Sequence, residues 1–305
     1  MSTTIAFIGL GNMGGPMAAN LVAAGHSVTG FDLVPAALEA AATHGVVIAA
    51  SAAEAAANAQ VVITMLPSGR HVLQAYTGGD TGDGLLAAAP AGTLFIESST
   101  IAVDDARAAH ALALAAGHRN IDAPVSGGVV GATAGTLTFM VGAAEADFES
   151  ARELLDCMGG RVVLCGNSGS GQAAKICNNL ILGISMIAVS EAFVLGEKLG
   201  LTHQALFDVS SAASGQCWAL TTNCPVPGPV PSSPANRDYQ PGFAGALMAK
   251  DLGLAVEALQ STGVDAQVGT LAASIYRRFA DEGGAGLDFS AIINGIRTRS
   301  EESAA

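Results

Sequence analysis

Gly9-Leu-Gly-Asn-Met-Gly14 is the first segment of this 305-residue chain with the makings of a binding site. It follows an apolar run, residues 4–8, and opens a helical pattern over 13–24. A strand, a loop and a helix with glycines at these intervals suit a diphosphate. Gly9 makes the tight turn, Gly11 lets the backbone approach the anion, and Gly14 lets helix and strand pack closely. Asn12 and Met13 complete the loop, and the N–H groups of the helix start face the anion. Asp32 ends the next β-branched run, 18 residues beyond Gly14. Its carboxylate can accept hydrogen bonds from both ribose hydroxyls of NAD and would repel the 2′-phosphate of NADP. No arginine follows to compensate, since Leu33 and Val34 stand there. A flavin loop and a purely structural glycine turn are the competing readings; the strand–loop–helix setting together with Asp32 selects NAD.

Gly171-Gln-Ala-Ala-Lys175-Ile-Cys-Asn178-Asn179 offers a second chemistry. Lys175 and Asn179 are i,i+4 neighbours on a helix, with Gln172 on the same side and Leu182 and Met186 continuing that face. An ammonium bordered by apolar side chains loses solvation, which favours its neutral form and suits proton exchange with an alcohol. The competing reading is a lysine that snorkels at a domain junction. The chain has only three lysines, Lys175, Lys198 and Lys250, so each merits inspection. Lys250 lies on an apolar helical stripe with Ala246, Leu247 and Leu254 and calls for a partner or a ligand. Asp251 beside it projects to another face, and a structural salt bridge is the alternative.

Asp122-Ala-Pro-Val-Ser126-Gly127-Gly128 follows an expected strand. Ser126 with two glycine amides makes a cluster of donors for a carboxylate, or else an ordinary turn. Leu66-Pro67 and Ser98-Ser99-Thr100 also follow strands, where ligands bind in open α/β sheets. None of the six histidines sits in a comparable setting, and neither His26 nor His71 has a spaced Glu or second His of the kind that binds a metal, so no metal site is expected. The run Asp80-Thr-Gly-Asp83-Gly84 resembles a calcium loop, but Ala91 stands where the terminal Glu belongs, and it reads as a surface turn.

These residues must be held by regular elements. Short β-branched runs at 4–8, 27–31, 46–49, 61–65, 93–97 and 120–123 alternate with Ala-rich helical patterns such as 13–24, 103–116 and 144–158. Strands that alternate with helices predict βαβ units and a parallel sheet, completed by 137–141 and 162–165. After Gly166 the pattern turns helical: 173–199, 202–211, 244–262 and 268–280. The expected architecture is α/β: a Rossmann-type NAD-binding domain over 1–165 and an all-α substrate and oligomerisation domain over 166–305, joined by a long helix. Residues 223–242 hold six of the eleven prolines and form either a surface connection or a wall over a pocket.

Half the residues are hydrophobic, 13% are charged, and the net charge is −13. An acidic chain without basic clusters excludes nucleic acid and anionic membranes as partners. The apolar stretch 176–196 is interrupted by Asn178, Asn179 and Glu191, as a buried helix would be. Five cysteines without a C-x-x-C pair read as reduced thiols. With no presequence ahead of the first strand, a cytoplasmic location is expected.

Phe7-Ile-Gly-Leu-Gly-Asn-Met-Gly-Gly-Pro-Met17, Asp122-Ala-Pro-Val-Ser-Gly-Gly128, Gly171-Gln-Ala-Ala-Lys-Ile-Cys-Asn-Asn179 and Met248-Ala-Lys-Asp-Leu252 occur in this order. Together they resemble the 3-hydroxyisobutyrate dehydrogenases of the β-hydroxyacid dehydrogenase family. The resemblance extends over essentially the whole chain, including Gly215-Gln-Cys-Trp218. It implies NAD-dependent oxidation of 3-hydroxyisobutyrate to methylmalonate semialdehyde, a step of valine catabolism. It further implies Lys175 as general acid/base, Asn179 as substrate-orienting group, and Ser126, Gly127 and Gly128 on the substrate carboxylate. Leu66, Pro67 and Thr100 would line the NAD site with Lys250 near the nicotinamide, Trp218 and Phe243 would close the pocket, and the protein would be a homodimer or homotetramer. His71 and Glu97 depart from the family pattern, which has asparagine and aspartate there. The alternatives are a reductase of another small semialdehyde (tartronate semialdehyde, glyoxylate or succinic semialdehyde), an imine reductase, and a non-catalytic NAD-binding protein that would not need Lys175 and Asn179.

Overall fold

Strand β1 (Thr4–Ile8) shows why the chain folds as it does: Ile5 and Phe7 face one side of a sheet, Ala6 and Ile8 the other, and all four are buried. A strand covered on both faces reads as a continuous apolar run. The structure, a computed structural model, describes residues 2–79 and 84–302. The turn expected at Asp80–Asp83 lies outside them.

The chain divides into two compact units, Met1–Lys175 and Ile176–Ala305. In the first, β1 is joined by β2 (Ser27–Phe31), β3 (Val47–Ile48), β4 (Val61–Thr64), β5 (Leu94–Glu97), β6 (Arg119–Asp122), β7 (Val125–Ser126), β8 (Leu137–Gly142) and β9 (Gly159–Gly166). Between and after them run α1 (Gly14–Ala23), α2 (Pro35–Thr43), α3 (Ala52–Ala56), α4 (Gly69–Thr77), α5 (Leu85–Ala88), α6 (Val103–Ala115), α7 (Gly128–Ala134), α8 (Glu145–Met158) and α9 (Ser170–Lys198), whose first residues belong to this unit.

The strands are ordered β3-β2-β1-β4-β5-β6 and are parallel throughout this part, the doubly wound order of dinucleotide-binding domains. Beyond β6 the expectation of a wholly parallel sheet needs correction. β8 runs antiparallel to β6 and β7, and β9 is parallel to β8. The reason lies in the β7–β8 connection, where α7 and its flanking residues are too short for the crossover that a parallel return requires. Met17 and Leu21 of α1 and Phe148 and Leu155 of α8 cover one face, while Tyr76, Ala106 and Ala109 cover the other.

The second unit contains most of α9 with α10 (His203–Ala212), α11 (Trp218–Thr221), α12 (Gly245–Thr262), α13 (Gln267–Asp281) and α14 (Ile292–Glu302). The sequence reading missed α7, α11 and α14. Its core gathers Met186 and Phe193 of α9, Met248 and Leu252 of α12, Tyr276, and Phe289 and Ile293. By length and composition α9 could cross a membrane, but half of its most apolar window is buried inside the protein.

Residues 223–242 form a built segment, not a slack connection. Ser233 Oγ donates to the Cys224 carbonyl (2.5 Å), Tyr239 Oη to the Pro225 carbonyl (2.8 Å), and Asn236 Nδ2 to the Val230 carbonyl (2.9 Å). Asp288, itself buried, ties both ends together. Its Oδ1 accepts from Asn223 Nδ2 (3.2 Å), and its Oδ2 from the N–H groups of Gly242 (3.0 Å) and Phe243 (3.1 Å).

Candidate active site

The glycine loop leaves β1 through Gly9 at φ +95°, where its N–H donates to the Phe31 carbonyl (2.9 Å). A Cβ on Gly9 would overlap the Met65 carbonyl oxygen, and one on Gly14 the Gly9 carbonyl oxygen, so both glycines are demanded by the fold. Gly11 is different. A Cβ built on it meets no protein atom within 4 Å, so the fold gives no reason for glycine there. An anion lying against the backbone does. Asn12 is exposed, and Met13 packs against the core at the start of α1.

Asp32 is fixed beside this loop. Its Oδ2 accepts the Leu10 N–H (2.7 Å) and its Oδ1 the Val34 N–H (2.8 Å). A carboxylate has about four lone-pair sites, so two remain for hydroxyl donors. The loop, the open side of Gly11 and the pinned Asp32 fit the diphosphate and ribose of a dinucleotide.

Leu66, Pro67 and Thr100 lie beyond the carboxyl ends of β4 and β5, and a buried carboxylate ties the two strand ends together. Glu97 Oε2 accepts from Thr64 Oγ1 (2.5 Å) and its Oε1 from the Ser99 N–H (2.5 Å). Ser99 Oγ in turn accepts the Leu66 N–H (2.7 Å). Burial pushes Glu97 from its ordinary 4.5 up to about 7, opposed by the hydrogen bonds from Ser99 and Thr64. Glu97 also raises Tyr76, whose phenol is already pushed well up by burial and accepts from Asn120 Nδ2 (3.0 Å). His71 contributes to the opening of α4, with Nδ1 2.7 Å from Ser68 Oγ.

A pH dependence follows. The folded chain keeps the Glu97 proton up to about pH 7, whereas the unfolded chain releases it near 4.5. The folded state therefore binds more protons in that window. Stability from this site falls as pH rises through it, by about 3 kcal/mol in all. Glu97→Gln cannot ionise and still accepts from Ser99. Its unfolding free energy should fall less than that of the parent between about pH 5 and pH 8 in urea titrations. Identical pH dependence of the two proteins would refute the assignment.

Ser126 pairs with Thr138 in the short β7, so it belongs to a strand and not to the loop expected from the sequence. Gly127 and Gly128 follow at φ +132° and +61° and open α7. The first N–H groups of a helix have no acceptor within it. Ser126 is half-buried and Gly127 exposed, so a ligand can reach both.

Lys175 is buried, only 6% exposed, one turn into α9. Asn179 follows one turn later, and Asn178 Nδ2 donates to its Oδ1 (3.0 Å). Within the second unit Asn179 Nδ2 donates to Asp251 Oδ2 (2.5 Å), and Lys250 Nζ lies 3.4 Å from Asp251 Oδ1. Asp251 is buried while Lys250 is partly exposed, and the long lysine chain reaches back to its neighbour, which is the salt bridge that the sequence leaves as the alternative. Phe243 packs edge-on against Phe289, centroids 5.6 Å apart, and Trp218 is half exposed at the start of α11.

Sequence reasoning gave Asp122, Asp251 and Gln172 no role of their own. Asp122 and Gln172 meet across 50 residues and Asn179 and Asp251 across 72, with no local pattern to announce either pair. Among the described residues no group of three His, Cys, Asp or Glu could hold a metal.

Residues 4–166 match the family model of the NAD-binding domain of 6-phosphogluconate dehydrogenase. Residues 169–296 match that described as NAD-binding of NADP-dependent 3-hydroxyisobutyrate dehydrogenase. A probable 3-hydroxyisobutyrate dehydrogenase of Mycobacterium tuberculosis is 58% identical over 299 residues, 98% of this chain and 99% of its own. The chain belongs to the 3-hydroxyisobutyrate dehydrogenase family. A solved structure of the M. tuberculosis 3-hydroxyisobutyrate dehydrogenase, described with L-serine, superposes with a TM-score of 0.92 at 58% identity, covering 97% of this chain and all of that one. An NAD-dependent L-serine dehydrogenase of Pseudomonas aeruginosa is 47% identical, covering 94% of this chain and 96% of its own. As a member of the 3-hydroxyisobutyrate dehydrogenase family, the chain is an NAD(P)-dependent oxidoreductase with a Rossmann-type sheet and a helical remainder.

Proposed function

We propose that this protein oxidises the primary alcohol of 3-hydroxyisobutyrate to methylmalonate semialdehyde, using NAD rather than NADP, as a step of valine breakdown. The observation that carries the reading is Lys175, a buried lysine in a chain of three, on the face of α9 that also presents Asn179. In its neutral form Lys175 accepts the hydroxyl proton, directly or through water. Ser126 Oγ and the amides of Gly127 and Gly128 hold the substrate carboxylate, and Asn179 orients the alcohol. Gly9, Gly11, Asn12, Met13 and Gly14 hold the diphosphate, and Asp32 the ribose. Leu66, Pro67, Thr100 and Lys250 are assigned to the rest of the dinucleotide, and Trp218 and Phe243 to the substrate. When bound, the nicotinamide supplies the hydride acceptor. The family resemblance of these residues supports each assignment.

A homodimer or homotetramer agrees with an exposed apolar stripe on α9, formed by Ile181, Ala188, Ala192 and Leu195 and continued by Leu199 just beyond its end. Five free cysteines agree with a cytoplasmic protein.

The L-serine found with the M. tuberculosis relative favours a second substrate reading, because serine carries the same carboxylate and CH₂OH. Reduction of NAD⁺ and NADP⁺ is followed at 340 nm with 3-hydroxyisobutyrate, L-serine, 3-hydroxypropionate and glycerate. The expected result is a kcat/KM for 3-hydroxyisobutyrate with NAD⁺ at least about tenfold above every other combination. A preference for L-serine or glycerate moves the assignment to that acid, and a preference for NADP⁺ overturns the role given to Asp32.

A further inference from the structure

We infer that Gln172 and Asp122 are positioning residues for Lys175, acting through the first turn of the helix they anchor. The inference rests on the reading of Lys175 as proton acceptor.

Gln172 is wholly buried, and both ends of its amide are taken up by backbone rather than left for a ligand. Its Oε1 accepts the Ile101 N–H (3.1 Å), and its Nε2 donates to the Ser99 carbonyl (2.7 Å). The loop it grips is fixed in turn, because Glu97 holds the Ser99 N–H and Ser99 Oγ holds Leu66.

Asp122 secures the same turn from the end of β6. Its Oδ1 accepts the Gly169 N–H (2.7 Å) and its Oδ2 the Gln172 N–H (3.0 Å), so a buried carboxylate serves the otherwise unpaired donors of the helix start. The approach is close: a Cβ on Gly171 would stand 2.8 Å from both the Asp122 carbonyl oxygen and its Oδ2.

The segment after β5, through Gln172, and the end of β6, through Asp122, therefore fix the first turn of α9. Lys175 follows Gln172 by three residues, about 4.5 Å along the helix axis. An error of about 1 Å in placing a reacting group costs about 10²-fold in rate. An apolar side chain at 172 would fill the space, but only a side-chain amide joins the helix to the 99–101 backbone in one register.

A double-mutant cycle separates positioning from fold maintenance, with NADH affinity measured by fluorescence on every variant. Gln172→Met should lower kcat at least about tenfold while NADH affinity stays within about threefold. In a Lys175→Ala background the same change should lower the residual rate less than about twofold, since nothing remains to be positioned. Equal factors in both backgrounds, or no effect on kcat where Lys175 is present, overturns the inference. If Gln172→Met does not fold, Asp122→Asn enters the same cycle with the same expected non-additivity. If Lys175→Ala alone keeps near-native turnover, it is the reading of Lys175 that fails, and the inference falls with it.

Discussion

Lys175→Ala should lower kcat for 3-hydroxyisobutyrate by about 10²–10⁴-fold, the span of general acid–base catalysis, with little change in NAD affinity. The two readouts separate because the groups assigned to the dinucleotide's diphosphate and ribose sit on other elements. The glycine loop closes β1, and Asp32 ends β2, held by Leu10 and Val34. Lys175 lies more than 140 residues later in the chain, on α9. Lys175→Arg sharpens the test. A guanidinium keeps the positive charge but does not release its proton in this pH range, so it cannot act as a base. Both variants should be slow if the lysine moves a proton. Near-native turnover in Lys175→Arg would show that only its charge is needed, and near-native turnover in Lys175→Ala would remove it from the chemistry.

Asp288→Ala should destabilise the helical unit by about 3–5 kcal/mol, because it strands several donors at once. Besides Asn223 Nδ2 and the N–H groups of Gly242 and Phe243, Asp288 accepts from the Ser290 N–H (3.1 Å) and Ser290 Oγ (2.7 Å). Asn223 and Ser290 are themselves buried, so water cannot replace the lost acceptor without opening the structure. The same change frees both ends of the 223–242 segment. Chemical denaturation should show the loss of stability, and limited proteolysis should find new cleavage between residues 223 and 242. A stability loss under about 1 kcal/mol would mean that the segment is held by its internal bonds and its prolines alone.

Much of the fold was legible because its causes are local. A strand buried on both faces has to be apolar throughout, and β1 falls at the residues the pattern marks. The glycine loop and Asp32 could be read for the same reason, since the turn, the helix start and the strand end lie within one βαβ unit. Lys175 could be singled out by its rarity and its helical neighbours. The antiparallel end of the sheet could not, because direction there depends on the length of the β7–β8 connection rather than on the character of β8. Ser126 reads from sequence as a loop residue because a two-residue strand has no periodicity to detect. The groups that hold the site were decided by tertiary structure alone. Gln172 and Asn179 look alike as polar residues on one helical face, but folding gives the first to the backbone of residues 99–101 and the second to Asp251. Glu97 resembles any acidic residue at a strand end until burial keeps its proton to about pH 7. Sequence determines which groups a short segment offers. Only the packing of segments far apart in the chain decides which buried polar atoms meet, because each must find its partner wherever the fold delivers one.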